Sequence, residues 1–150
     1  MNTIRHFMNL LGAASLALLS FLAHAQSEPI GFVKTVTGDA WVSTAGQRVK
    51  AQPGSAILLG SELKTAARST MGVTFKDNTV MSFGPDTELT VDEYLYAPAQ
   101  GQLKLGTRLG KGSLNYVSGV IAKLKPDAVT IKTPSGIIGV RGTQFVARVE

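Results

Sequence analysis

Four acidic residues, Asp86, Glu88, Asp92 and Glu93, form the densest group of side chains that could do chemistry. Paired carboxylates could serve as the acid and base of a glycosidase, or as oxygen ligands for calcium. Glycosidase carboxylates must face each other across a cleft, whereas Glu88 and Asp92 project from one predicted strand. Calcium loops need closely alternating acids around a glycine turn, and that spacing is absent. We therefore expect solvent-facing acids beside a basic surface.

Histidine is missing from most of the chain and cysteine from all of it. The sequence has no cysteine, and its two histidines, His6 and His24, lie in an N-terminal segment with the pattern of a secretory signal. Without them the chain lacks the commonest general base, the thiol nucleophile and the usual zinc ligands. The sequence predicts a non-catalytic protein that uses no metal or other cofactor.

The segment Gly106–Ser113 is the nearest approach to a phosphate-binding loop. Its glycine spacing is one residue short, Lys111 is followed by Gly112 where Ser or Thr is needed, and no helix is predicted after it. We interpret it as a turn between strands.

The aromatic residues could stack on a sugar or a partner, but packing in the core or at its rim is favoured. They are Trp41, Tyr94, Tyr96 and Tyr116.

The first 25 residues predict export. Arg5 precedes an apolar stretch that ends in Ala23-His24-Ala25, which is typical of a signal peptide cleaved after Ala25. The sequence thus predicts one domain, residues 26–150, in the periplasm, with no membrane span after cleavage and no nucleic-acid partner. Loss of Arg5 lowers the formal net charge from +5 to +4. These scattered cations indicate a solvated surface, with binding of peptidoglycan or lipopolysaccharide phosphates as the alternative.

The segment Thr133–Phe145, called the closing motif below, is the densest local signature. Pro134 and Gly136 predict a turn, Ile137–Val140 a buried strand, and Gly142 a bulge or a positive φ angle. Arg141 could bond backbone carbonyls inside the fold or face a partner's carboxylate, and the internal role is favoured. The signature residues are Thr133, Pro134, Gly136, Gly139, Arg141, Gly142, Thr143 and Phe145.

The closing motif resembles the end of the FecR domain, the periplasmic part of regulators in ferric-citrate-type signalling. Gly38–Val42, Glu62–Thr65, Ser69–Phe75 and Lys76–Thr79 resemble earlier parts of that domain, so the likeness runs from about Gly31 onward. It implies a β-rich domain that binds envelope proteins and has no catalytic residues. The regulators also have a cytoplasmic segment that controls a sigma factor. Here a signal peptide takes its place, so direct control of a sigma factor is not expected.

Short apolar or alternating runs separated by turn residues predict an all-β fold. Gly38–Ala45 and Gly60–Ala67 look alike, which fits rungs of a solenoid or turn chemistry that recurs by itself, and the FecR resemblance implies a solenoid-like or sandwich-like domain. Met71–Phe83 predicts a hairpin that turns at Asp77-Asn78, and Ala97–Gly101 a surface loop. The predicted strands are Gly31–Val36, Ala40–Ser43, Glu62–Thr65, Met71–Phe75, Thr79–Phe83, Glu88–Tyr96, Gln102–Leu105, Ser113–Val120, Ala128–Lys132, Ile137–Val140 and Gln144–Val149.

Overall fold

A computed structural model describes residues 27–150, and the predicted signal peptide, residues 1–25, lies outside them. The described chain is mostly strand, which confirms the all-β prediction. No helix of residues 27–150 is long and apolar enough to cross a membrane. The elements are β1 Gly31–Thr37, β2 Ala40–Thr44, β3 Gln47–Lys50, β4 Ala56–Ile57, β5 Glu62–Thr65, β6 Thr70–Phe75, β7 Val80–Phe83, β8 Glu88–Ala97, β9 Gln102–Val117, α1 Val120–Leu124, β10 Val129–Thr133, β11 Gly136–Gly139 and β12 Gln144–Val149.

These strands form one curled sheet, an open half-barrel, in the order β3-β2-β5-β8-β9-β7-β6-β1-β4. On the other side of β9 lie β10, which also pairs with β11, and β12. Every pair is antiparallel except β9 with β10. The look-alike segments Gly38–Ala45 and Gly60–Ala67 contain β2 and β5, which pair antiparallel. Stacked solenoid rungs would place such repeats parallel, so the solenoid interpretation is wrong.

Strand β9 is the centre of the sheet. Its first part pairs with β8 and β10, and its last part with β7 and β12. The prediction of a turn at Gly106–Ser113 was therefore wrong, since this segment lies inside β9. Its glycines mark irregularities in the ladder: a Cβ on Gly106 would lie 2.8 Å from Glu93 Oε2, and Gly112 has a φ of +89°.

The core lies on the concave side of the sheet and is built by alternation along the strands. In β6, Met71, Val73 and Phe75 are buried, and Met81 and Phe83 join them from β7. Met71 pairs with Phe83, so the predicted hairpin is confirmed, and Asn78 in its turn has a φ of +65°. The loop after β8 is confirmed as well, since Pro98–Gln100 form an exposed 3₁₀ turn.

Three elements were not predicted. Strands β3 and β4 are short and carry weak patterns, and helix α1 begins at Val120, which the sequence placed at the end of a strand. The chain leaves β9 at Gly119, where a Cβ would overlap the backbone nitrogen of Thr79 and the backbone oxygen of Asp77. Only glycine fits this close approach, and the chain then turns into α1.

Candidate interaction site

The closing motif begins with a turn that the structure confirms. Strand β10 ends at Thr133, Pro134 and Ser135 form the turn, and β11 begins at Gly136. The Thr133 hydroxyl donates a 3.0 Å hydrogen bond to the Gly136 carbonyl oxygen. β10 and β11 thus form a tight hairpin.

Strand β11 is not the buried strand that the sequence predicted. It pairs with β10 alone, and Ile137 is 68% exposed. Only Val140, just after the strand, is buried, while Ile138 packs against the edge of the core. The error has a simple cause, because an apolar run does not reveal whether its strand lies in the middle of a sheet or at its edge.

The predicted internal role of Arg141 is also wrong. Its side chain is exposed, and it makes no hydrogen bond or ion pair to any residue from 27 to 150. Arg141 lies in the connection between β11 and β12, so it has no rows of backbone carbonyls on either side to bond. Its guanidinium is left available to a partner.

The end of the closing motif is held by contacts with the end of β9. Gly142 has a φ of +102°, as predicted, and its carbonyl oxygen accepts a 2.9 Å hydrogen bond from the Ser118 hydroxyl. The Ser118 backbone N–H donates to the Thr143 carbonyl oxygen at 2.9 Å. Phe145 stacks on the buried ring of Tyr116, with centroids 5.0 Å apart. Most of the signature residues are nonetheless exposed: Pro134, Gly136, Gly139, Arg141, Gly142 and Thr143.

Strand β12 leaves one of its two edges free. The bond from Ser118 to Thr143 directs the backbone of Thr143 toward β9, and antiparallel ladders alternate from residue to residue. The backbone groups of Phe145 and Ala147 therefore also face β9. Those of Gln144, Val146 and Arg148 face away from it, where no strand of the described chain pairs with them.

The side chains on this free edge combine aliphatic and basic character. Gln144, Val146 and Arg148 are exposed on the convex face, and Val146 is 72% exposed. We call the unpaired edges of β11 and β12, with Ile137, Arg141, Val146 and Arg148, the C-terminal edge.

Charge is distributed unevenly along the described chain. Residues 119–150 carry five cations and two acids, a net charge of +3, whereas residues 27–118 carry a net charge of only +1. All ion pairs among the described residues lie between residues 28 and 108. The cations of the last segment are Lys123, Lys125, Lys132, Arg141 and Arg148, and its acids are Asp127 and Glu150.

The acidic group behaves as expected from the sequence. Asp86, Glu88 and Glu93 are exposed, and Asp92 is half-buried. Three of these acids pair with neighbouring cations, and no two of them face each other across a cleft. The pairs are Arg108 with Asp92 at 2.8 Å, Lys104 with Glu93 at 3.2 Å and Lys64 with Glu88 at 3.6 Å.

Tyr94, Tyr96 and Tyr116 pack in the core or at its rim, as predicted, whereas Trp41 lies on the face of β2 opposite the buried Ala40 and Val42. Tyr116 is fully buried, and Tyr94 stacks on Phe75 with centroids 5.6 Å apart. Trp41 and Tyr96 are half-exposed, and the guanidinium carbon of Arg48 lies 4.2 Å from the centroid of the Trp41 ring.

Asp77 has a structural role beyond its turn that no sequence pattern predicted. Its side chain is completely buried and accepts hydrogen bonds from the Thr79 hydroxyl at 2.7 Å and the Ile121 backbone N–H at 3.2 Å. The Tyr94 hydroxyl donates to it at 3.2 Å. Burial, and next the negative charge of Asp77, raise the pKa of Tyr94. Asp77 thus fixes the start of α1 to the β6–β7 hairpin.

Comparison with known proteins gives one match. The family model described as "FecR protein" matches residues 61–150, which include β5 to β12 and the whole C-terminal edge. No curated protein and no solved structure matches the chain.

Proposed function

The chain belongs to the FecR protein family, whose domain is a signalling-related regulator module, and we propose that it is an exported, non-catalytic module that binds an envelope protein. The observation that carries this proposal is the C-terminal edge. It lies within the matched residues and consists of two unpaired strand edges beside the exposed part of the closing motif.

Unpaired edges are a reason to expect a partner. A strand with free N–H and C=O groups is a ready template for another chain, and soluble proteins usually shield such edges. Many recognition domains bind an extended segment in this way. Export to the periplasm rests on the signal pattern of residues 1–25.

Site-specific cross-linking in intact cells tests the proposal. A photo-cross-linking amino acid is placed at Val146 on β12 or, as a matched control, at Val49 on β3, which is also well exposed. We expect one envelope protein to be captured from position 146 and not from position 49. Equal capture from both positions, or none above background, would count against an interaction module at this edge.

Binding of an acidic envelope polymer is the second candidate function. It is supported by the five cations of residues 119–150, which have no ion-pair partner within residues 27–150. Sedimentation with purified sacculi at rising salt tests it, because an electrostatic contact weakens as salt screens the charges. Sedimentation that does not depend on salt, or none at all, would reject it.

A further inference from the structure

We propose that the free edge of β12 accepts an extended acidic segment of a partner protein as an additional strand of the sheet. This inference rests on the proposed function and specifies it. It names the strand that is extended and the chemistry of the segment that extends it, an alternation of aliphatic and acidic side chains.

The backbone of β12 is suited to this role. The groups of Gln144, Val146 and Arg148 that point away from β9 form a row of donors and acceptors along one side of a six-residue strand. An added antiparallel strand would form hydrogen bonds with this row in the same pattern that joins the other edge of β12 to β9. The hydrogen bonds would hold any extended segment, so the choice of segment falls to the side chains.

The side chains of β12 select for aliphatic neighbours at alternate positions. Phe145 and Val149 lie on the concave face and are only partly buried against the core, whereas Val146 shares the convex face with Arg148. Cross-strand neighbours on an antiparallel pair lie about 5 Å apart, so aliphatic side chains opposite Phe145 and Val149 would cover them. Such burial is favourable in proportion to the apolar area removed from water.

The charges around β12 select for acids at the remaining positions. Arg148 lies on the strand and Arg141 just before it, and neither is in an ion pair within residues 27–150. The net charge of +3 on residues 119–150 attracts an acidic segment and repels a basic one. A neutral sheet edge would lack this discrimination.

The opposite end of the sheet, β3, also exposes a valine, Val49, but it is shorter than β12 and one of its two cations is paired. The free side of β3 presents Arg48 and Lys50, but Lys50 is already paired with Asp39 at 2.9 Å. The same alternation applies there, since the Ala51 N–H donates to the Ala40 carbonyl oxygen and so leaves the Lys50 N–H facing outward. β3 therefore provides a matched control, with a free N–H but no unpaired charge at that position.

A binding assay with defined peptides tests the proposal. The probe is a fluorescent ten-residue peptide of alternating valine and glutamate, and the comparison peptide has lysine in place of glutamate. Anisotropy is measured against the processed chain from the exported fraction. We expect the glutamate peptide to bind at least about tenfold more tightly than the lysine peptide, which corresponds to about 1.4 kcal/mol.

Proline variants test the backbone part. Val146→Pro removes one outward N–H without touching the ladder to β9, and proline is tolerated on such edges. We expect it to weaken binding of the glutamate peptide by about tenfold or more, because a hydrogen bond is lost and the ring obstructs the added strand. Val146→Thr keeps the N–H, and Lys50→Pro makes the same change on β3. Both should bind within about threefold of the unmodified chain.

Charge variants test the side-chain part. Arg148→Glu should weaken binding of the glutamate peptide and strengthen binding of the lysine peptide. Lys34→Glu changes the net charge equally at an exposed residue of β1 that is in no ion pair within the described chain. It should leave both affinities nearly unchanged. Equal effects of the two reversals would mean that only the overall charge matters, and would overturn the proposal.

The possible results separate this inference from the proposed function. Binding that Val146→Pro leaves intact but Arg148→Glu abolishes would mean attraction of any acidic polymer and overturn strand addition. Capture of an envelope protein at position 146 would then still support an interaction module. If Val146→Pro fails to fold, the same question is put to a glutamate peptide that is N-methylated on every residue and so has no backbone N–H group to donate to a strand. Its binding as tightly as the unmethylated peptide would overturn the inference.

Discussion

The two ends of the curled sheet are built differently. At one end, β3 has four residues, which include the cations Arg48 and Lys50 and the exposed Val49. At the other, β12 has six residues and exposes Val146, while β11 exposes Ile137. Short and charged strands discourage pairing, whereas longer aliphatic edges invite it. One end is protected against other chains, and the other is left open to them.

The two ends also differ in what holds them in place. The side-chain contacts of Arg48 and Lys50 on β3 are at the surface, where Lys50 pairs with Asp39 and Arg48 stacks on Trp41. The C-terminal segment is instead attached by buried groups, the Asp77 carboxylate and the Tyr116 ring. A strand that accepts a partner must be held in position by the residues packed behind it. We therefore expect mutations of Asp77, Tyr116 or Phe145 to lower the free energy of unfolding far more than mutations near β3.

The largest difference is expected between two aspartates. Asp77→Ala removes a buried acceptor of bonds from Thr79, Tyr94 and Ile121, and leaves their donors unpaired. We expect the free energy of unfolding to fall by roughly 3 kcal/mol. Asp39→Ala removes an exposed partner of Lys50 and should cost less than about 0.5 kcal/mol.

Urea unfolding of the two aspartate variants provides the measurement. A second variant, Asp77→Asn, keeps one acceptor oxygen and should lie between Asp77→Ala and the unmodified chain. Similar losses for Asp77→Ala and Asp39→Ala would show that the two ends of the sheet are held alike, contrary to the comparison.

The next effect concerns two neighbours on β12. Phe145→Ala removes the ring that stacks on Tyr116, and because Phe145 is only partly buried we expect a loss of roughly 2 kcal/mol. Val146→Ala shortens an exposed side chain and should change stability by less than about 0.5 kcal/mol. Thermal unfolding followed by circular dichroism tests this, and an equal loss from both variants would contradict the inward and outward alternation of β12.

Parts of both ends could be predicted from the sequence. The bounds of β5 and β12 are those predicted, because alternating apolar residues between turn residues define a strand well. The Thr133–Gly136 turn and the positive φ of Gly142 followed from proline and glycine chemistry. These features depend on local sequence alone, and so the sequence was sufficient.

The remaining features depend on distant residues. Gly106 and Gly112 suggested a turn. The sequence does not show that Glu93 and Thr87 occupy the space that a Cβ atom on each of these glycines would need. Nor does the pattern of Ile137 reveal that β11 has a neighbour on one side only. The open edge of the candidate site was therefore beyond prediction, although its motif was identified.

Alkaline pH should weaken the attachment of the C-terminal segment at Asp77 and Tyr94. The pKa of Tyr94 is raised, mainly by burial and also by Asp77, so its neutral phenol is favoured in the folded state. Its contribution to stability is complete below the ordinary tyrosine pKa of about 10 and is lost as pH rises through the folded value.

We expect the free energy of unfolding to fall above about pH 10, by at most about 1.4 kcal/mol per pH unit for this one group. Tyr94→Phe should make the fall less steep. Burial also raises the pKa of Tyr116, so part of the slope should remain in that variant. Identical slopes for Tyr94→Phe and the unmodified chain between pH 10 and 11.5 would exclude Tyr94 as a source of the pH dependence.

The smallest effect is expected at the protected end. Arg48→Ala removes the guanidinium that lies over Trp41 on β2. An exposed cation–π contact contributes about 0.5–1 kcal/mol, so the loss of stability should be at the low end of that range. Arg48→Lys keeps a cation but not the planar group and should recover only part of it.

The loss of Arg48 also removes a charge from the free side of β3. If charge is what protects this edge, Arg48→Ala should begin to self-associate in analytical ultracentrifugation while Arg48→Lys remains unchanged. If both variants self-associate, the stacked guanidinium protects the edge. If neither variant self-associates, the short length of β3 protects it.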